Sequence, residues 1–184
     1  MLELSCLGSL LEAGAVMTQG WGQGEAKTVG DLFQEIKDDE SVLRIEATLG
    51  GVRLVRVLRV VKMSITQTRT LKTLTEVKQI LPDGRIRERN QVPSGKISFS
   101  ETPVDALYRE MEEELTLEPG EYIWTPPVSP VFEERFGRSY PNLLTVYELY
   151  TYSVSLNLNV EYGRFRDGFR HKERSGVEAV FAWV

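Results

Sequence analysis

Residues 52–61, Val-Arg-Leu-Val-Arg-Val-Leu-Arg-Val-Val, constrain the fold more than any other stretch of the chain. Their β-branched side chains lose rotamer freedom in a helix and suit a pleated strand. Apolar residues fall on both faces of the run, which predicts a central strand covered on both sides. Arg53, Arg56, Arg59 and Lys62 recur every third residue, a helix-like spacing that the valine content outweighs. A central strand needs neighbours. Gly50-Gly51 predicts a tight hairpin back to a strand over 44–49. Pro82-Asp83-Gly84 predicts a second hairpin between strands at 75–81 and 85–90. Further strands are expected at 121–124, 128–133, 143–158 and 177–184. Only one strong helix, over 103–115, stands among them. The pattern predicts an α/β chain of the α+β type, with a mixed β-sheet and helices on its faces.

The first 40 residues read as an N-terminal extension to a domain spanning 41–184. Met1–Met17 is apolar, holds Glu3 and Glu12, and carries no Lys or Arg, so it matches neither a secretory signal nor a transit peptide. A short helix lying on the domain is the expectation. Thr18–Glu25 is Gly-rich and reads as a linker. Thr28, with Asp31 three residues on, predicts a capped helix ending near Asp38.

Composition removes several classes of function. The 184 residues include one cysteine, Cys6, and one histidine, His171, which excludes an intrachain disulfide and a zinc site built on several such ligands. No apolar run approaches the ~20 residues of a membrane span, and a cytoplasmic protein without a membrane partner is expected. The net charge of −5 argues against general nucleic-acid binding. The charge is uneven. Residues 1–43 carry 2 basic and 8 acidic side chains, whereas residues 44–89 carry 11 and 4. The basic side chains read as guards on strand edges, with the acidic N-terminal segment able to lie across them.

The acidic helix concentrates the chemistry. Thr102 is placed to cap it, Pro103 suits its first position, and Asp105 completes a capping box. Val104, Leu107, Met111 and Leu115 form an apolar stripe. Glu110, Glu113 and Glu114 share another face, where like charges repel by about 0.2–0.5 kcal/mol per pair. They also lie toward the helix C-terminus, which disfavours anions. Arg109 reaches Glu113 at i+4. A solvated acidic face is one reading. A hard divalent cation held by carboxylate oxygens is the other.

The whole segment resembles the box of the Nudix hydrolases, Gly-x5-Glu-x7-Arg-Glu-U-x-Glu-Glu-x-Gly-U, where U is bulky and apolar. Here it runs from Gly95 through Glu101 and Arg109-Glu110-Met111-Glu112-Glu113-Glu114-Leu115-Thr116-Leu117. Every defined position matches except Thr116, which stands where the family has Gly. Ser94 also replaces the first Gly of a usual pair. The resemblance implies a Nudix-like α/β/α sandwich and a pyrophosphohydrolase cleaving a diphosphate bond in a nucleoside diphosphate derivative with Mg²⁺ or Mn²⁺. It implies metal-binding roles for Glu110, Glu113 and Glu114, an assisting role for Glu101, and an orienting role for Arg109. Glu101, Arg109 and Glu113 are thereby the catalytic candidates. Glu112, the variable position, is expected to point elsewhere. A homodimer is compatible with the resemblance. The competing reading is a catalytically inactive Nudix-fold module that binds a ligand or serves structurally in a complex. Thr116 is poorly suited to the left-handed turn that Gly would make, so a different turn, supplied by Pro119-Gly120, is expected.

Outside this segment the signals thin out. Trp124, Phe132, Phe136, Tyr140 and Tyr147 read first as core. Among them Tyr140 is the candidate to stack on a substrate base. Arg135 and Arg138, in a loop-like stretch with Gly and Pro, are candidates to hold phosphates. Glu133, Glu134 and His171 read as exposed polar residues.

Overall fold

The computed structural model describes residues 3–173 and 175–184. Its elements run α1 (Leu4–Ala13), α2 (Val29–Lys37), β1 (Val42–Thr48), β2 (Gly51–Ile65), β3 (Leu74–Ile80), β4 (Ile86–Gln91), β5 (Ser94–Ile97), α3 (Pro103–Leu115), β6 (Tyr122–Thr125), β7 (Val131–Phe136), β8 (Leu144–Leu156), α4 (Leu158–Glu161), β9 (Phe169–Lys172) and β10 (Glu178–Trp183). The fold is α+β with a mixed sheet, as expected. No described helix is long and apolar enough to cross a membrane. The chain divides into two compact units. One holds the chain up to Val60 with Lys96–Thr102 and Val131–Leu149. The other holds Val61–Gly95, Pro103–Pro130 and Tyr150–Val184.

In the first unit β1 and β2 form the expected hairpin, with Thr48 opposite Gly51. Gly51 sits at φ 134°, a conformation that disfavours any side chain. β7 pairs antiparallel with the first part of β8. β2 buries both of its faces. Leu54 joins Leu7 and Leu11 of α1, Leu32 of α2, Tyr140 and Leu143 in one core, while Val55 and Val57 join Val146 in another. The i, i+4 pair Leu7 and Leu11 is what docks α1, and each is almost fully buried, worth about 1.5–3 kcal/mol of transfer free energy. α2 starts at the predicted capping box, in which Thr28 Oγ1 accepts the Asp31 N–H and Asp31 accepts the Thr28 N–H.

The N-terminal helix lies on the domain as expected, Leu7 and Leu11 of α1 completing the core around Leu54 with Leu32 of α2. The Gly-rich stretch, by contrast, is not an open linker. It folds back through turns, Trp21 donates its indole N–H to Pro141 O at 2.9 Å, and Lys27 N–H reaches Ser139 O at 2.8 Å. The basic block also proves to be more than edge protection. Arg56 is 4% exposed and forms a buried ion pair with Glu35 of α2, its guanidinium 4.8 Å above the Tyr140 ring. Lys27 and Lys96 lie 2.7 and 3.1 Å from the same carboxylate. Burial alone would raise the Glu35 pKa, but Arg56 and the two lysines overcome it and hold it at about 2.

The second unit is built on a four-stranded antiparallel sheet ordered β4-β3-β10-β9. The hairpin at 82–84 sets its β3–β4 register, which places Glu76 opposite Gln91. β6 pairs with the end of β8. Glu161 of α4 is fully buried and accepts the Thr68 N–H and hydroxyl, the latter at 2.8 Å. The short elements β5, β9 and α4 were not foreseen.

Candidate functional site

α3 matches its predicted bounds, and its buried stripe includes Leu107, Met111 and Leu115. Glu110 is buried as well, at 6% exposure. The reason lies in Gly95. A Cβ added there would stand 1.8 Å from Glu110 Cδ, so the carboxylate occupies the space that any other residue would fill. The first Gly and the first helical Glu of the motif are therefore in direct contact. Arg109 Nη1 donates to Glu110 Oε1 at 2.7 Å and to Glu113 Oε2 at 3.1 Å, tying a buried carboxylate to an exposed one.

Glu114 is half-buried. Burial, then the nearby carboxylates of Glu110, Glu173, Glu76 and Glu113, push its pKa up to about 7. Among the described residues no cation pairs with it. Two cavities meet at this side chain. The larger, about 510 Å³, is lined by Glu112, Glu113 and Glu114 on one side and by His171, Lys172 and Glu173 on another. The smaller, about 110 Å³, includes Glu76, Arg89, Ser94, Glu114 and Glu173 in its walls. Glu112 thus shares the larger cleft instead of pointing away, although it is not among the carboxylates that press most on Glu114.

The donors are hard oxygens, Glu110 and Glu113 sharing Arg109 and Glu114 having no cation partner among the described residues, and such carboxylates suit Mg²⁺ or Mn²⁺. Among the described residues no three His, Cys, Asp or Glu side chains are already gathered into a cage. The fit is one of charge and donor type.

The turn after α3 corrects the expectation for position 116. Thr116 itself adopts φ 53°, its N–H bonding Glu112 O and the Leu117 N–H bonding Met111 O, both at 3.0 Å. The left-handed cap is kept with a β-branched residue in it, at a cost of about 1–2 kcal/mol. Gly120, at φ 97°, serves a separate turn.

The other predicted residues belong to the first unit. Glu101 is half-buried; its carboxylate accepts the Ser98 N–H at 3.4 Å, and its carbonyl accepts Arg59 Nη1 at 3.1 Å. Arg135 stacks over Tyr147 at 4.5 Å, and Arg138 is exposed, 3.4 Å from Glu25. Tyr140 is 1% exposed, with Trp21 and Arg56 against its ring, so it presents no face to a substrate base. Phe132 and Phe136 are exposed instead of core. Sequence reasoning missed Glu76 and Glu173. For Glu76 the available signal was the hairpin register that sets it against Gln91, whose side chain donates to it at 3.2 Å.

No protein-family model matches the chain, and no curated protein does. Among solved structures it is similar to the E. coli dihydroneopterin triphosphate pyrophosphohydrolase, at 17% identity and TM-score 0.35, over 52% of this chain and 66% of that one. It is also similar to the C. elegans Ap4A hydrolase, at 16% identity and TM-score 0.33, over 56% of this chain and 76% of that one.

Proposed function

We propose that the chain is a metal-dependent pyrophosphohydrolase that cleaves a diphosphate bond in a nucleoside diphosphate derivative. The observation that carries this reading is the crowd of carboxylates around Glu114, next to a cleft large enough for a small ligand. Glu110, Glu113 and Glu114 would hold Mg²⁺ or Mn²⁺. Such an ion, when bound, supplies charge neutralisation of the diphosphate, activation of water and stabilisation of the leaving oxygen.

The protein's own residues have separable tasks in this reading. Gly95 lets the Glu110 carboxylate lie against backbone, and Arg109 fixes its orientation. Glu113 is exposed in the wall of the cleft, with Arg109 3.1 Å away. His171 and Lys172 give the cleft donors suited to phosphate oxygens. In the reaction a water oxygen bonds to phosphorus, the bond to the leaving phosphate oxygen breaks, and a carboxylate takes the water proton.

The test is turnover of a panel comprising ADP-ribose, diadenosine polyphosphates, NADH, nucleoside triphosphates, nucleotide sugars and capped RNA, with Mg²⁺ and with Mn²⁺. One or more members should be hydrolysed, with ¹⁸O from labelled water appearing in a phosphate product. Glu113→Gln should depress kcat more than KM, and Glu112→Gln should have little effect. No turnover with either metal, or equal behaviour of the two variants, would move the chain to the binding or structural reading.

A further inference from the structure

β7 is an edge strand whose six residues, Val131-Phe-Glu-Glu-Arg-Phe136, are all exposed. Among the described residues it pairs only with β8. An open edge usually carries Lys, Pro or a bulge to discourage pairing. β7 has no Lys, Pro or bulge; its three charges, Glu133, Glu134 and Arg135, are of mixed sign, and Phe132 and Phe136 are 65% and 66% exposed. β1 is also bound on one side only, but its charges are spent within the chain, Arg44 on Glu46 at 3.0 Å and Arg53 on Glu46 at 2.7 Å. On β7, Glu133 has no cation partner among the described residues.

The pattern of β7 matches a second copy of itself. In an antiparallel ladder, directly opposed pairs alternate between hydrogen-bonded and non-hydrogen-bonded types. A two-fold axis relates the pair i, j to the pair j, i, which must be of the same type. Residues i and i+1 therefore cannot oppose each other, and the axis must pass at a residue. An axis at Glu133 opposes Val131 to Arg135 and Phe132 to Glu134. An axis at Arg135 opposes Glu134 to Phe136. Only an axis at Glu134 matches like with like: Phe132 opposes Phe136 twice on one face, and Glu133 opposes Arg135 twice on the other. The two Glu134 side chains then face each other, and each has Arg53 of its own chain 3.5 Å away.

From this complementarity we infer that β7 is a self-association surface, pairing antiparallel with β7 of a second copy about a two-fold axis at Glu134. The inference does not depend on the hydrolase reading. Aromatic and opposite-charge cross-strand pairs are the unit that stabilises such a ladder.

Sedimentation velocity of the full chain over a concentration series tests it. The wild type should self-associate to a dimer. Glu133→Arg and Arg135→Glu should each weaken the dimer by at least about fivefold, since each change breaks two symmetric pairs, and the double variant Glu133→Arg/Arg135→Glu should restore it. In a Cys6→Ser background, Glu134→Cys should form an interchain disulfide on oxidation, because directly opposed residues lie within bridging distance. Glu133→Cys should not, since the two copies of residue 133 are offset along the strands. Circular dichroism and melting confirm that each variant is folded. A monomeric wild type, a dimer indifferent to the single swaps, a double variant that stays monomeric, or equal cross-linking at 133 and 134 would overturn the inference.

Discussion

Glu35 and Glu114 are the same side chain treated in opposite ways. Glu35 is buried among Arg56, Lys27 and Lys96, and its pKa is held at about 2. Glu114 is half-buried among Glu110, Glu173, Glu76 and Glu113, and its pKa is pushed up to about 7. Burial opposes ionisation at both positions. What differs is whether the chain supplies the balancing charge. Around Glu35 it does, and the result is a self-contained structural element tying α2 to β2. At Glu114 no cation does so among the described residues, Arg109 being paired with Glu110 and Glu113 and Arg89 with Glu76, and the balance is left to a proton or, in the proposed function, to a metal ion.

The contrast breaks most sharply at Arg56. Replacing it with Met leaves the Glu35 carboxylate only the partly exposed Lys27 and Lys96 and should cost at most about 3 kcal/mol of stability by chemical denaturation. Replacing both Glu35 and Arg56 with Met should recover much of that loss, because no buried charge is then left unpaired. A double variant as unstable as the single would show that the pair is not what matters there.

Next in size is the response to pH. The folded pKa of Glu35 lies below its ordinary 4.5, so its contribution, about 3 kcal/mol, is complete above pH 4.5 and is lost as pH falls toward 2. The folded pKa of Glu114 lies above 4.5, so the associated stability is full below pH 4.5 and is lost as pH rises through 7. Melting temperature against pH should show both limbs. Glu114→Gln should flatten the upper limb and leave the acid limb unchanged; a variant with both limbs intact would remove Glu114 from the account.

A smaller effect is expected at Gly95. Gly95→Ala drives a methyl into the Glu110 carboxylate, which must move. The fold should survive, but metal affinity should fall about tenfold, on the order of the loss seen when a ligand's supporting contact is removed. Titration calorimetry would read this, and undiminished affinity would detach Glu110 from the site. The smallest effect belongs to Thr116→Gly. Relief of strain at φ 53° and the added freedom of the unfolded chain oppose each other. Stability should change by less than about 1 kcal/mol and turnover by a small factor. A large rise in turnover would mean that Thr116 impairs the site.

What the sequence made legible follows the same division between local and distant causes. β2, both hairpins and α3 are written in short-range patterns: valine content, Gly and Asp-Gly turns, a capped apolar stripe. The carboxylates of α3 could be named because their spacing is local. The partners that decide their behaviour could not. Glu35 meets Arg56 across 21 residues, and Glu114 feels Glu76 and Glu173 from two other strands' surroundings. Tyr140 reads first as core, and it is; its candidacy to stack on a base fails because α1 and α2 fold over it, which nothing nearby announces. Thr116 was misjudged for a related reason. Local preference argued against a left-handed Thr, and the helix-end hydrogen bonds of Thr116 and Leu117 override it.

The central claim is that the charge left unbalanced at Glu114 is reserved for a divalent cation. Binding of Mn²⁺ at pH 8, followed by the loss of its free-ion EPR signal, tests it without requiring a substrate. The wild type should bind one or more ions with millimolar or tighter affinity, and Glu114→Gln should abolish or greatly weaken that binding while Glu112→Gln leaves it within about twofold. Wild-type protein that leaves the free-ion signal unchanged, or Glu114→Gln binding Mn²⁺ as the wild type does, would contradict the claim.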